Sequence, residues 1–239
     1  EGRGDEDVYF ANAIREVSNV LLQDYQEKRF IGGVEIIDLT PPVSPLAEST
    51  VSAPLAIPDG YGPATPLWLF VNLIQTENEQ ARTVSKPVLP VVAAHALLLQ
   101  DDKNALDSLL KDLSPALASE LQAHATVRPF ARLHAFIDEI SDLVLVTHDW
   151  HQRMARHDDW NATTRQRLRA LFDWHQQQQS VFLNPYGPYR TLTTMPYQKV
   201  ASMLHERDDA FRDKIVIVGP SLEWGRSAKG GVIETAYGA

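Results

Sequence analysis

From Lys103 to Gln179 the chain places apolar residues three and four apart in "NALDSLLKDL", "SPALASELQAHA", "PFARLHAFIDEISDLVLVTHDWHQRMARHD" and "TTRQRLRALFDWHQQQQ", and glycine is absent throughout. That period is the signature of amphipathic helices. One predicted stripe is Leu133, Phe136, Ile137, Ile140 and Leu143; a second is Leu168, Leu171, Phe172 and His175. The text before the block alternates between helix and strand. Val8, Ala11, Ile14 and Val17 stand near helical spacing behind the acidic start Asp5 to Asp7, where carboxylates favour a helix N-terminus. "NVLLQDY", "GGVEIIDL" and "LWLFVNLI" then read as short strands, and "LPVVAAHALLLQ" as a helix with Pro90 in its first turn. Seven prolines between Thr40 and Pro66 predict a loop there, neither helix nor central strand. After the block, "SVFLNPYGPYRTLTTMPY" is strand-like, "YQKVASMLHERDDAF" a short helix, and "KIVIVGP" an apolar β-branched run suited to a strand buried on both faces.

This order predicts an α/β fold, a mostly parallel or mixed sheet flanked by helices, interrupted by a helical insertion. The divisions fall at residues 1–102, 103–179 and 180–239. Composition narrows the function classes. No apolar run approaches the roughly 18 residues of a membrane span, and no basic-then-apolar leader follows Glu1. A net charge of -9 argues against nucleic acid, whose binders concentrate Lys and Arg on the phosphates. With no cysteine, the chain makes no disulfide and offers no thiolate ligand or nucleophile.

Candidate chemistry is sparse. "THDWHQRMARHDDW" offers His148, Asp149, His151, His157, Asp158 and Asp159, and on a helix His148 and His151 would share a face at i, i+3, as metal ligands do. The spacing matches no established metal motif, so a solvated amphipathic helix end is the preferred reading and no cofactor is expected. No G-x-S-x-G elbow is present. "GPSLEWGRSAKGG" lacks both the dinucleotide glycine spacing and the G-K-[ST] of a phosphate loop, so Gly219 is expected to serve a sharp strand exit. His95 and His134 lie in apolar helical text and read as satisfied core or half-exposed histidines. In "NPYGPYRTLTTMPY", Tyr186, Tyr189, Arg190 and Tyr197 form a polar-aromatic group, and with Trp224 they are the candidate ligand contacts.

"FLNPYGPYRTLTTMPYQKVASML" followed by "FRDKIVIVGPSLEWGRSAKGGVIETAYG" resembles the C-terminal part of CHASE2 domains, extracytoplasmic sensor modules of bacterial membrane receptors. Asn184, Gly187, Pro188, Thr194, Pro196, Tyr197, Lys214, Ile215, Val216, Val218 and Gly219 match that family's pattern in order. "GDEDVYFANAIREVSNVLLQDY" also resembles an earlier segment of the family, whereas its opening strand and Trp-Pro helix have no counterpart here. The resemblance implies a sensory, non-catalytic domain in the periplasm, part of an inner-membrane protein whose transmembrane segments lie outside this chain. It implies a small molecule or other extracytoplasmic cue as partner, and a cytoplasmic output such as a class III adenylate or guanylate cyclase or a protein kinase. Two further readings stay open: a metal-dependent hydrolase built on His148 to Asp159, and a structural domain whose helical block forms a homodimer.

Overall fold

The structure is a computed structural model and describes residues 4–17, 19–31, 34–55, 66–77, 80–127, 133–177, 180–182, 195–206, 209–211 and 216–218. The chain divides into two compact units, one of Glu1–Ala56 with Trp68–Val181 and one of Ile57–Leu67 with Phe182–Ala239. The class is mixed α/β.

In the first unit, helix α1 (Gly4–Val17) carries Asp5, Glu6 and Asp7 in its first turn and Arg15 in its last, the charge order that complements the helix dipole. Ala11 and Ile14 are buried, and α1 packs on the single turn α2 (Ser44–Ala47). Strand β1 (Leu21–Gln23) pairs in parallel with β4 (Val51–Ala53), Leu22 opposite Ser52. Both α2 and β4 fall in the proline-rich stretch expected to be loop, and the prolines explain how. Pro45 sits in the first turn of α2, where its missing N–H is not needed, and Pro54 follows β4 and leaves its ladder intact. Thr50 reinforces the join by donating to the Val20 carbonyl.

Two longer antiparallel hairpins follow. β2 (Tyr25–Ile31) pairs with β3 (Val34–Thr40), and β6 (Phe70–Glu77) with β7 (Gln80–Pro87). β5 (Pro66–Trp68) pairs with β8 (Ser180–Phe182). The strand expected through "LWLFVNLI" therefore breaks at Leu69, which is buried and gives its carbonyl to the Val88 N–H at 3.0 Å. Among the described residues the strands pair two by two and join no larger sheet.

α3 (Leu89–Asp101) forms where "LPVVAAHALLLQ" predicts a helix, and the block from 103 to 179 is helical as its period predicts: α4 (Lys103–Leu113), α5 (Pro115–Val127), α6 (Leu133–Val146), α7 (Trp150–Met154) and α8 (Ala162–Gln177). Pro90 and Pro115 lie in first turns. Asn161 caps α8 by accepting from the Thr164 N–H at 2.9 Å, and Ser114 accepts from the Leu117 N–H at the start of α5. One apolar core joins these helices to β4: Leu106, Leu109, Leu110, Ile137, Ile140, Trp150, Leu168 and Phe172 are completely enclosed, and Leu143 packs at its edge. Each such side chain contributes about 1.5–3 kcal/mol on burial, so the helical core outweighs the three-residue β1–β4 ladder as the source of stability. Asp102, between α3 and α4, accepts from Thr164 Oγ1 at 2.5 Å and pairs with Arg167 at 3.0 Å, tying that corner to α8.

In the second unit, α9 (Tyr197–Glu206) occupies the short helix expected from "YQKVASML". The "KIVIVGP" expectation is corrected where it is described. Val216, Ile217 and Val218 have no strand structure and are 52%, 87% and 83% exposed. A β-branched run becomes a buried strand only where neighbouring strands meet both its edges, and no described strand pairs with these three residues.

Candidate functional site

Among the described residues, an organised polar group is enclosed in the helical core. His95 on α3 and His175 on α8 are both fully buried, and their Nε2 atoms lie 2.9 Å apart. His95 Nδ1 is 2.8 Å from the Val91 carbonyl, one turn back on α3. His175 Nδ1 is 2.6 Å from Ser141 Oγ on α6. The rings meet edge to face at 5.0 Å between centroids, and Phe70 of β6 packs on His175 at 5.5 Å.

These contacts fix every proton. A carbonyl only accepts, so His95 donates from Nδ1 and its neutral Nε2 is an acceptor. His175 must then donate from Nε2, which leaves its Nδ1 to accept from the Ser141 hydroxyl. The result is one directed chain, Ser141 to His175 to His95 to Val91, with every ring nitrogen satisfied. Burial pushes His95 down to about 4, the Val91 carbonyl pulling weakly the other way. Burial also pushes His175 down, to about 2, with the His95 ring adding to the effect. Both rings are neutral near pH 7.

That electrostatic setting limits the chemistry. Ser141, His175 and His95 stand in the order of a nucleophile, base and orienting group, but a general base works best with a pKa near the working pH, and His175 lies far below it. A shared metal fits no better. Two nitrogens 2.9 Å apart, each about 2.0–2.1 Å from a zinc ion, would subtend about 90°, well short of tetrahedral. No group of three or more His, Asp or Glu side chains among the described residues is placed to hold a metal.

The histidine-rich segment expected from sequence is spread out. His148 is exposed in the turn before α7. His151 stacks on Trp150 at 3.4 Å and approaches Asp173 at 3.6 Å. His157 stacks on Trp160 at 4.2 Å and faces Ser108. Asp149 pairs with Arg153 at 3.0 Å, and Asp158 and Asp159 are exposed. Of the proposed ligand contacts and family-motif positions, Tyr186, Tyr189, Arg190, Trp224, Asn184, Gly187, Pro188, Thr194 and Gly219 lie outside the described residues. Tyr197 is the first residue of α9, and exposed Pro196 precedes it, accepting from the Lys199 N–H at 2.9 Å.

His134 is half-buried on α6 and bonds the Ser52 carbonyl of β4 at 2.7 Å. His95 and His175 each carried one usable signal in the sequence, a histidine at a core position of an apolar stripe. Ser141 carried none. No protein-family model, curated protein or solved structure matches this chain.

Proposed function

We propose that this chain is part of an extracytoplasmic sensory domain of a bacterial membrane receptor, one that binds a cue and regulates a cytoplasmic output, in the first instance a class III nucleotide cyclase. The carrying observation is the ordered set Asn184, Gly187, Pro188, Thr194, Pro196, Tyr197, Lys214 to Val216, Val218 and Gly219, which resembles the closing pattern of CHASE2 domains. The mixed α/β class and the helix α9 starting at Tyr197 agree with that pattern. The enclosed His95–His175 pair supports a non-catalytic role, since both rings are spent on structure at neutral pH. In the finer form of this reading, further strands complete a larger, mostly parallel sheet around β1 and β4. No described helix is long and apolar enough to cross a membrane; in this reading the spanning segments belong to the rest of the receptor.

A sensor transmits only if its cue binds one arrangement better than another. The test is the full-length gene product: transmembrane segments and a cyclase or kinase catalytic motif support the reading, and an uninterrupted soluble enzyme overturns it. A thermal-shift screen of the chain against small metabolites then looks for the cue, because a ligand specific to the folded state raises apparent stability.

A further inference from the structure

His95 and His175 sit where four elements meet. α3 brings His95, α6 brings Ser141, α8 brings His175, and the base of the β6–β7 hairpin brings Phe70, whose apolar neighbours are Leu69, Val71, Val88 and Trp174. We propose that this junction is an acid-triggered latch, closed while the hydrogen-bond chain from Ser141 through His175 and His95 to Val91 is intact, and opened with the uptake of two protons. The inference deepens the sensory reading by naming acidity as the cue, and rests on that reading only for its link to an output.

Proton counting on the geometry gives the number two. In the closed junction a single N–H lies between the two Nε2 atoms. A first added proton can enter without breaking a contact. His95 then donates from both nitrogens, His175 accepts at Nε2 and carries its own proton on Nδ1, and Ser141 turns from donor to acceptor, which a hydroxyl does by rotation. That state holds a buried cation with no partner. A second proton places two N–H groups head to head across 2.9 Å, an arrangement with no bonded solution. Both protonations therefore favour separation of α3 from α8, where water reaches each ring.

Among the described residues, the surroundings offer no counter-charge. Of the ionisable groups described, only His95 bears on the titration of His175, and none bears on His95. On α6, Asp138 faces His134, Asp142 and Lys86 of β7. On α8, Asp173 lies beside His151 and Arg169, and Arg167 is held by Asp101 and Asp102 at the end of α3. On α4, Asp107 and Lys111 pair with each other. Among the described residues no carboxylate bears on either ring in the closed state, which makes opening the route by which charge is accommodated.

Each released imidazole titrates near 6.5, so below that value the open-to-closed ratio rises about 10-fold per pH unit for one proton and about 100-fold for two. The test follows opening of the whole chain between pH 7 and 4.5 by amide exchange in α8 and the β6–β7 hairpin, corrected for intrinsic rate, with tryptophan fluorescence as a second reporter. The expected slope is near two decades per pH unit in the parent, near one in His95→Gln or His175→Gln, and near zero in the double variant. A parent slope of zero, or a slope near two surviving in the double variant, overturns the latch. If the glutamine variants do not fold, imidazole resonances of the parent decide: His95 and His175 titrating together with opening support it, and independent titration of either in the closed state refutes it. Because opening is read on the chain itself, a latch that works in a soluble enzyme would sink the receptor reading alone. A cyclase-linked receptor with a pH-independent junction would sink the latch alone.

Discussion

Replacing His95 by leucine tests whether the buried chain is one unit or two adjacent side chains. The substitution puts an apolar residue of similar size at a fully enclosed position and removes the acceptor of His175 Nε2, at 2.9 Å. Whichever tautomer His175 then adopts, one of its ring nitrogens has no partner, because Ser141 satisfies only Nδ1. A buried polar group left unpaired costs about 1–3 kcal/mol, so His95→Leu should destabilise by about 2 kcal/mol. His175→Leu strands His95 Nε2 and should cost about as much. In the double variant both rings are gone and only the half-buried Ser141 hydroxyl needs a partner, which a helical serine finds at a carbonyl of the preceding turn. The double variant should therefore cost about 2 kcal/mol, against about 4 for the sum of the singles, a coupling of about 2 kcal/mol. Urea unfolding at pH 7.5, where the pair is neutral, measures all four corners of the cycle. A double variant equal to the sum within about 0.5 kcal/mol would refute the directed chain.

Global stability should fall with acid. Both histidines have folded values below the usual 6.5, so the unfolded chain binds more protons below that value, and stability is full above it and lost as pH drops toward about 4 for His95 and about 2 for His175. Two such groups predict a loss of about 4 kcal/mol between pH 7.5 and 5, read from urea midpoints, and a flat profile there contradicts their burial as neutral rings. Ile140→Ala, in the middle of the α6 stripe, should cost about 2–5 kcal/mol, whereas Leu145→Ala, 45% exposed on the same helix, should stay within about 0.5, with thermal unfolding comparing the two. Asn161→Ala should remove about 1 kcal/mol by uncapping α8, and Asn161→Asp should restore it. Chelator treatment should leave the melting temperature unchanged; stoichiometric zinc lost together with His148 or His151 would favour the hydrolase reading instead.

Much of the local structure was legible because it depends on neighbours in the chain. The helical block followed from its 3.6-residue period, and the Leu133 to Ile140 and Leu168 to His175 stripes are the faces that the core buries. Proline marked the first turn of α3. It misled between Thr40 and Pro66, where composition suggested continuous loop, because the positions of Pro45 and Pro54 at element ends mattered more than their number. The candidate site was half legible. A histidine inside an apolar stripe announces a buried polar group with a partner to find, but nothing in the sequence says which partner.

What the sequence determined by itself is therefore the longer helices and their apolar faces, the absence of thiol chemistry, and a net charge of -9. Only the tertiary structure decided that His95 and His175, 80 residues apart, share one proton while the histidines clustered from His148 to His157 separate. It also decided that Val216 to Val218, apolar enough for a core strand, stand exposed. The physical reason is the same in each case: periodicity fixes which face of an element is apolar, whereas burial and hydrogen-bond partnership depend on which other face it meets.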